Sequence, residues 1–541
     1  MNKKNLLYAL IPLFLAGGLV GGIFLGKKFS SGYIPPEMAK LMTVMDIIQN
    51  EYVDEISMDS LMDGNFAQLL SLLDPHSVYI PASELEAVND DLEGSFSGVG
   101  VSFQILNDTV NIIDIVSGGP SERVGLQPGD KIIKADTIDL TGVNATTEKV
   151  MKTLRGPKDS EVNLTIVRSS SEKPLNFKVK RGDVPQNSVD AQYMISEGVG
   201  YIKVGKFART TYDEFYKALQ NLEAHGAEKF IIDLRGNSGG FMDQAILMVN
   251  EFLPADRTIV YTKGRNPLND TYAKSTGQGH YMDNELVVLT DEFSASASEI
   301  FSGAIQDNDR GLVIGRRTFG KGLVQNQFPL PDNSAIRLTI ARYYTPSGRS
   351  IQKEYKRGEG SQYELELSQR FSRGELYNVD SVKLDKSKVF FTLNNREVYG
   401  GGGIMPDIFV AEDTTKVTSY YINVSNNGII QKYAYKIADS KRGELRGAKS
   451  IQEVLNKLPG DEILLENFVD FAEDSKVPAK WYQINKSRDL ILHQLKSIIV
   501  RDVLGYPQFI QLYNQNDNTI NQALKALQEG RSPINILPNR K

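Results

Sequence analysis

Three short stretches carry residue types that together can activate a serine. Residues 294–299 read SASASE, three serines spaced by alanines with Glu299 behind them. They follow ELVVLT, residues 285–290, so the pattern predicts a strand running into a helix. Small residues at such a turn leave a hydroxyl uncovered, and the first helical amides favour a developing oxyanion. The same residues would also serve as an N-cap with small packing neighbours. Residue type alone does not choose between Ser294, Ser296 and Ser298.

A serine nucleophile needs a base, and the four histidines, His76, His225, His280 and His493, lie far apart with no ligand spacing between them. Lys321 in GRRTFGKGLVQ is the other candidate. Lysine is protonated at neutral pH, with a usual pKa of about 10.4. Burial beside Phe319 and Leu323 would lower that value toward the range a base requires. Gln325, four residues on, is placed to hold the neutral amine, and a Ser–Lys pair needs no histidine. The stretch also nearly spells a phosphate loop, G-x-x-x-x-G-K from Gly315, Gly320 and Lys321. Gly322 then stands where a magnesium-binding hydroxyl is required, and LVQNQFPL reads as a strand instead of a helix. DLRGNSGG, residues 233–240, supplies paired glycines whose amides can turn toward a ligand.

The rest of the chain must position these stretches. At 541 residues it exceeds a single growing core, so three or more domains are expected. A net charge of −6 and the lack of a long basic stripe argue against nucleic acid as a partner. The absence of cysteine excludes disulfides, thiolate nucleophiles and a lipid-attachment cysteine. Between Lys4 and Lys27 the run from Asn5 to Gly26 is largely apolar; its 22 residues would span about 33 Å as a helix. Without a clean A-x-A site it reads as a membrane anchor more than as a cleaved signal. From Pro35 to Leu92 the pattern is helical, with Leu41, Met45, Ile48 and Tyr52 forming a stripe suited to packing or dimerising. His76, in LDPHSVYI, falls in a turn with a structural or capping role.

From Phe96, FSGVGVSF, VNIIDIV, DKIIKA and EVNLTIVR read as strands, with short helices in SGGPSERVGL and at Thr147 to Leu154. This order resembles a PDZ domain, with Gly98, Val99, Gly100 and Val101 at the loop whose amides hold a peptide's terminal carboxylate. Between Val184 and Gln352, GVGYIKV, KFIIDL, ELVVLT and GLVIG alternate with helices at Asp213 to His225 and Ser296 to Asp307, which implies an α/β core. Residues 353–412 are expected to complete that core as a strand-rich segment. Beyond residue 412 polar, charged helices run to about Gln528 before a Pro/Asn-rich tail.

Taken in order, LDPHSVY, FSGVGVSF, the PDZ signature, DLRGNSGG, SASASE, GKGLVQ, YYTPSGRSIQ and GGGIMPD resemble the carboxyl-terminal processing, or tail-specific, proteases. The resemblance covers about Leu41 to Asp407. It implies a multidomain α/β chain: an N-terminal membrane helix, a small helical region, a β-rich PDZ domain, a protease core of the ClpP/crotonase-like type and a helical C-terminal extension. It further implies Ser296 as nucleophile, Lys321 as general base and Gln325 as its orienting partner. Amides of Ala297 and Gly239 would form the oxyanion hole, with Gly240 the alternative to Gly239. No metal or cofactor is implied. Ser238 stands where family sequences often carry proline. Asp307 aligns with an acidic family position, and reads equally as a plain surface residue. The implied reaction is endoproteolysis near apolar C-termini of proteins in a bacterial cell envelope, on the periplasmic or outer face. The PDZ domain would bind the substrate C-terminus and gate the site, with a homo-oligomer as a further expectation. The rival reading is an inactive PDZ adaptor, which predicts decay of Ser296 or Lys321; both are present.

Overall fold

The computed structural model describes residues 35–535 apart from 107, 117, 169 and 170. The apolar run 5–26, expected to cross a membrane, lies outside the described residues. Among the described residues no helix is long and apolar enough to cross one. Residues 35–69 group as a unit of their own, with helix Pro36–Glu51 and most of helix Met58–Ser71. The Leu41 stripe forms on the first of these, yet no residue of that helix is buried.

From Leu70 the chain builds a second unit. LDPHSVYI does more than end a helix: strand Val78–Ile80 pairs antiparallel with strand Ala335–Tyr344, Val78 opposite Arg337. Helix Ala82–Glu93 then leads into strand Ser95–Gly98, which pairs with Gly182–Pro185 and so brings the entry and exit of the next domain together. That domain holds β1 (Val101–Leu106), β2 (Thr109–Ile115), β3 (Lys131–Ala135), β4 (Glu161–Val167) and β5 (Leu175–Lys180), antiparallel neighbours in that order. Helices α1 (Pro120–Val124) and α2 (Thr147–Leu154) fall where the pattern put them. β5 shows no apolar run because only Val179 of its six residues is buried. Val101, Phe103 and Ile105 of β1 pack on the core of Val110, Ile112, Val150 and Leu164, which turns Ser102 and Gln104 to the other face.

The central sheet runs β6 (Val189–Ser196), β7 (Val199–Val204), β8 (Lys229–Asp233), β9 (Glu285–Thr290), β10 (Leu312–Gly315) and β11 (Ile408–Phe409). β6 and β7 form an antiparallel hairpin; the remaining neighbours are parallel. The four apolar runs supply β7 to β10. Parallel strands need cover on both faces. On one, Ile202, Phe230, Ile232, Val288 and Val313 pack against α3 (Thr211–Ala224), α4 (Met242–Asn250) and α5 (Ala297–Asp307).

The other face is covered by the far end of the chain. The extension contributes α6 (Ile429–Ser440), α7 (Trp481–Leu504), α8 (Tyr506–Tyr513) and α9 (Asn518–Gln528). α6 and α7 help enclose a separate core of Ile430, Tyr433, Phe468, Ile491 and Leu495. Ile510 of α8 and Ile520, Ala523 and Leu527 of α9 instead pack on Tyr201, Ile231, Val287 and Ile314 of the sheet. Arg235 fixes the approach: it pairs with Asp233 at the end of β8 and with Asp517, each at 2.7 Å. Asp517 in turn caps α9 through the Thr519 and Ile520 N–H groups.

Residues 353–412 depart from the strand-rich expectation. They hold helix Gly360–Ser372 and strands of two or three residues, of which Ile408–Phe409 joins the central sheet. QYELELSQRF is built largely of strong helix formers, which outweighs its alternating pattern.

Because α9 seals one face of the sheet, truncating Ile520 should cost stability although it lies far along the chain from any strand. Ile520→Ala is expected to lower the unfolding free energy of the core by about 2–4 kcal/mol in urea titrations. Tyr482→Ala, at an 86% exposed position, should stay within about 0.5 kcal/mol of the parent.

Candidate active site

The turn between β9 and α5 is held by buried side chains that bind backbone. Asp291 accepts from Gly236, Phe293 and Ser294 N–H groups at 2.9–3.0 Å. Ser294 and Ser298, both fully buried, donate to the carbonyls of Leu234 and Asn237 at 2.8 and 2.9 Å. The outer two serines therefore tie SASASE to DLRGNSGG. Ser296 is left at the N-cap of α5 with φ 55° and ψ −113°. Positive φ is uncommon for a residue with a Cβ and marks a turn over-determined by its surroundings. A sharp strand-to-helix turn of this kind lifts a hydroxyl clear of its neighbours.

DLRGNSGG supplies the opposing surface. A Cβ at Gly239 (φ +104°) would lie 2.7 Å from Ser296 Cβ and 3.0 Å from Ala297 N. At Gly240 (φ +141°) it would lie 2.1 Å from the Phe207 carbonyl oxygen. Only glycine allows these approaches. Asn237, unremarked in the sequence, is fully buried; its Nδ2 donates to Val204 O and its Oδ1 accepts Gly239 N–H at 2.8 Å. The Gly239 amide is thus directed at Asn237, and this conformation does not offer it to an oxyanion. Ala297 N–H heads α5, where an amide has no intrahelical acceptor.

Glu299 joins the serine segment to the lysine segment. The carboxylate is fully buried. Oε2 accepts Ser296 N–H and Lys321 N–H, each at 2.9 Å, while Oε1 accepts Gly320 N–H at 2.7 Å and Thr318 Oγ1 at 2.5 Å. Burial pushes the carboxyl upward and the hydrogen bonds from Thr318, Lys321, Gly320 and Ser296 oppose it. Three of these partners can only donate, so the ionised form fits the site. The Tyr343 hydroxyl adds a second link, within reach of Ser296 O (3.1 Å) and Lys321 O (2.5 Å).

Lys321 is followed by strand Leu323–Pro329 and not by the helix a phosphate loop requires. Its Nζ donates to Gln325 Oε1 at 3.0 Å, and Gln325 Nε2 donates to the His76 carbonyl. This second bond fixes which end of the amide faces the lysine. The His76 turn is itself pinned: Asp74 accepts from His76 N–H, Ser77 N–H, Ser77 Oγ and Thr339 Oγ1 at 2.6–3.0 Å. The His76 imidazole contacts the Tyr363 hydroxyl at 2.9 Å, and burial together with the nearby Lys321 charge holds its pKa down at about 4. Burial lowers the Lys321 pKa and the Arg337 guanidinium adds to that effect, against Glu299 and Asp74.

Ser296, Lys321, Gln325 and Gly239 share one cleft of about 830 Å³ with the apolar side chains of Phe207 and Met242. Asp307 is no surface residue: at the far end of α5 it pairs with the fully buried Arg349 at 2.7 Å and accepts from Ser347. The loop Gly98 to Val101 lies apart, in the β-rich domain. Gly100 has φ +76°, and Val99 O and Gly100 O accept the Ser121 and Val116 N–H groups.

Comparison with known proteins agrees with this architecture. Residues 198–359 match peptidase family S41, residues 97–180 match the PDZ domain, and residues 420–505 match a family of unknown function (DUF8443). The chain is 33% identical over 365 residues to the carboxy-terminal processing protease CtpB of Bacillus subtilis, covering 67% of this chain and 73% of that protein. It is 33% identical over 321 residues to a carboxy-terminal-processing protease of Bartonella bacilliformis, covering 58% and 73%. Against CtpA of Bacillus subtilis it is 27% identical over 470 residues, covering 85% and 94%. The chain belongs to the carboxy-terminal processing proteases of peptidase family S41. It is a serine-type peptidase that carries a PDZ domain and a helical C-terminal region.

Glu299→Gln should test the stitching carboxylate. It places an amide N–H₂ against groups that donate, so peptidase activity is expected to fall at least ~10²-fold through displacement of the serine and lysine segments. The check is initial rates on a fluorogenic peptide beside near-ultraviolet circular dichroism, which should show a folded protein.

Proposed function

We propose that this protein cleaves extracytoplasmic proteins near their C-termini with Ser296 as nucleophile and Lys321 as general base. The observation that carries the reading is the Glu299 carboxylate, which holds the Ser296 and Lys321 backbones on its one oxygen Oε2. Neutral Lys321 takes the Ser296 Oγ proton as the hydroxyl attacks the scissile carbonyl. A neutral amine has one lone pair, and the hydrogen bond to Gln325 leaves that pair to be aimed at Ser296. The protonated lysine then gives its proton to the leaving amine, and water hydrolyses the acyl-enzyme by the same route in reverse. Ala297 N–H takes the oxyanion, joined by Gly239 once Asn237 releases its amide, or by Gly240.

The PDZ domain binds the substrate's apolar C-terminus through the 98–101 loop and gates the cleft. Helix Ala82–Glu93 supports gating: Asn89, Leu92 and Glu93 line the cleft, Glu93 pairs with Arg209 at 2.8 Å, and the helix leads directly into the PDZ entry strand. The apolar run 5–26 supports membrane attachment, and the family resemblance favours a catalytic domain outside the cytoplasm.

Ser296→Ala and Lys321→Ala should each reduce kcat/KM by at least ~10³-fold, measured with a peptide ending in an apolar residue; near-parental activity in either would remove that residue from the dyad. The pH profile carries a sign. Lys321 must be neutral, so kcat/KM should rise with pH through its lowered pKa. Removing a neighbouring cation stabilises the ammonium, so Arg337→Gln should move that rising limb to higher pH, while Arg337→Lys should leave it near the parent's.

A further inference from the structure

The helical extension has no assigned role, and one of its faces looks onto the PDZ domain. A cavity of about 1180 Å³ separates the two. Four consecutive residues of β1, Ser102, Phe103, Gln104 and Ile105, line it. Alternate residues of a strand face opposite ways: Thr109, Asn111 and Ile113 of β2 put the cavity over the sheet's outer face, and the run of four in β1 brings that strand's edge to the same space. β1 is an outer strand of its sheet, and that edge can accept an added strand. From the opposite wall α6 presents Gln431, Lys432, Tyr435 and Lys436. Its Ile430, Tyr433 and Ala434 are buried in the extension's own core, which fixes the direction of this face. The Tyr435 hydroxyl meets the Gln104 side chain, whose Oε1 is buried without a hydrogen-bond partner.

This geometry deepens the reading of the PDZ domain as a C-terminal peptide site, and rests on it. A peptide paired with β1 sends successive side chains to opposite sides. Those on the side of Val101, Phe103 and Ile105 enter the PDZ groove, while those on the side of Ser102 and Gln104 face α6. Lys432 and Lys436 are exposed and have no carboxylate partner among the described residues; Lys436 lies 5.0 Å from the Phe471 ring. Two of the cavity's three acids lie beside one arginine. Arg442 pairs with Asp439 at 3.2 Å and lies 4.0 Å from Asp502, which burial pushes up to about 6. Asp114 accepts the Ile115 N–H at 2.9 Å. With Lys131, Lys432, Lys436, Arg442 and Arg501 against Asp114, Asp439 and Asp502, the lining is positive on balance.

We propose that α6 forms the second wall of the PDZ peptide site, and that Lys432 and Lys436 select acidic side chains one and three residues before the C-terminus of a bound protein. The test uses the full chain carrying Ser296→Ala, so that peptides are bound without cleavage. Fluorescein-labelled decapeptides ending Glu-Leu-Glu-Val, Ala-Leu-Ala-Val and Lys-Leu-Lys-Val are titrated by anisotropy at low salt, each with a free and an amidated C-terminus. The acidic peptide is expected to bind roughly five- to twentyfold more tightly than the alanine peptide. Lys432→Glu/Lys436→Glu should reverse the order and favour the lysine peptide; both positions are exposed, so the fold should survive. Binding that needs the free carboxylate but ranks the peptides alike in both proteins overturns the role of α6 and leaves the PDZ reading standing. Binding indifferent to amidation, or none to any peptide, overturns the PDZ reading and this proposal with it.

Discussion

One buried carboxylate organises the catalytic half of this molecule. Glu299 receives four hydrogen bonds, from residues 296, 318, 320 and 321. Among the described residues no single cation in direct contact matches its charge; it is spread over backbone amides and one hydroxyl. An unpaired carboxylate in such a place would cost several kcal/mol, so the four donors must hold their places together. That requirement joins the serine segment and the glycine-flanked lysine segment into one rigid corner. The strained Ser296 backbone, the Tyr343 bridge and the placement of Lys321 are consequences of the same corner.

Around it, the lysine is oriented from the opposite end of the chain. Gln325 faces Lys321 correctly because the His76 carbonyl takes its other end, and Asp74 and Thr339 hold that carbonyl in position. The 74–80 segment thus reaches the lysine's surroundings, and the pairing of Val78–Ile80 with strand Ala335–Tyr344 explains how a short turn can be so firmly placed. The PDZ domain is separate in space and continuous in covalent structure, since the helix that lines the cleft runs into it.

Much of this was legible in the sequence, and what was not follows a pattern. Apolar runs of strand length gave β7 to β10, and the glycine-punctuated runs gave four of the five PDZ strands. β5 was hidden because most of its side chains are not buried, and β6 and β11 because edge strands carry weaker apolar signals. Lys321 and Gln325 stood out by type and spacing, Ser296 was singled out from its two neighbours only by the family resemblance, and the fold brings all three into one cleft. Glu299 was in plain view, yet three of its four partners are main-chain amides, which carry no side-chain signature. The His76 carbonyl and Asn237 escaped for the same reason. Asp307 was ambiguous by sequence because its partner, Arg349, is 42 positions away.

The cover that α8 and α9 give the central sheet also sets an order of assembly. β7 to β10 are complete by residue 315, but the helices that cover their second face come only with residues 506–528. Arg235 waits equally long for Asp517. A nascent chain would therefore hold the serine and lysine segments on a half-clad sheet through some two hundred further residues. Closure by α8 and α9 couples a fully clad protease core to synthesis of the helical extension. A chain broken off early by stalled translation or clipping would lack the layer that makes its core permanent.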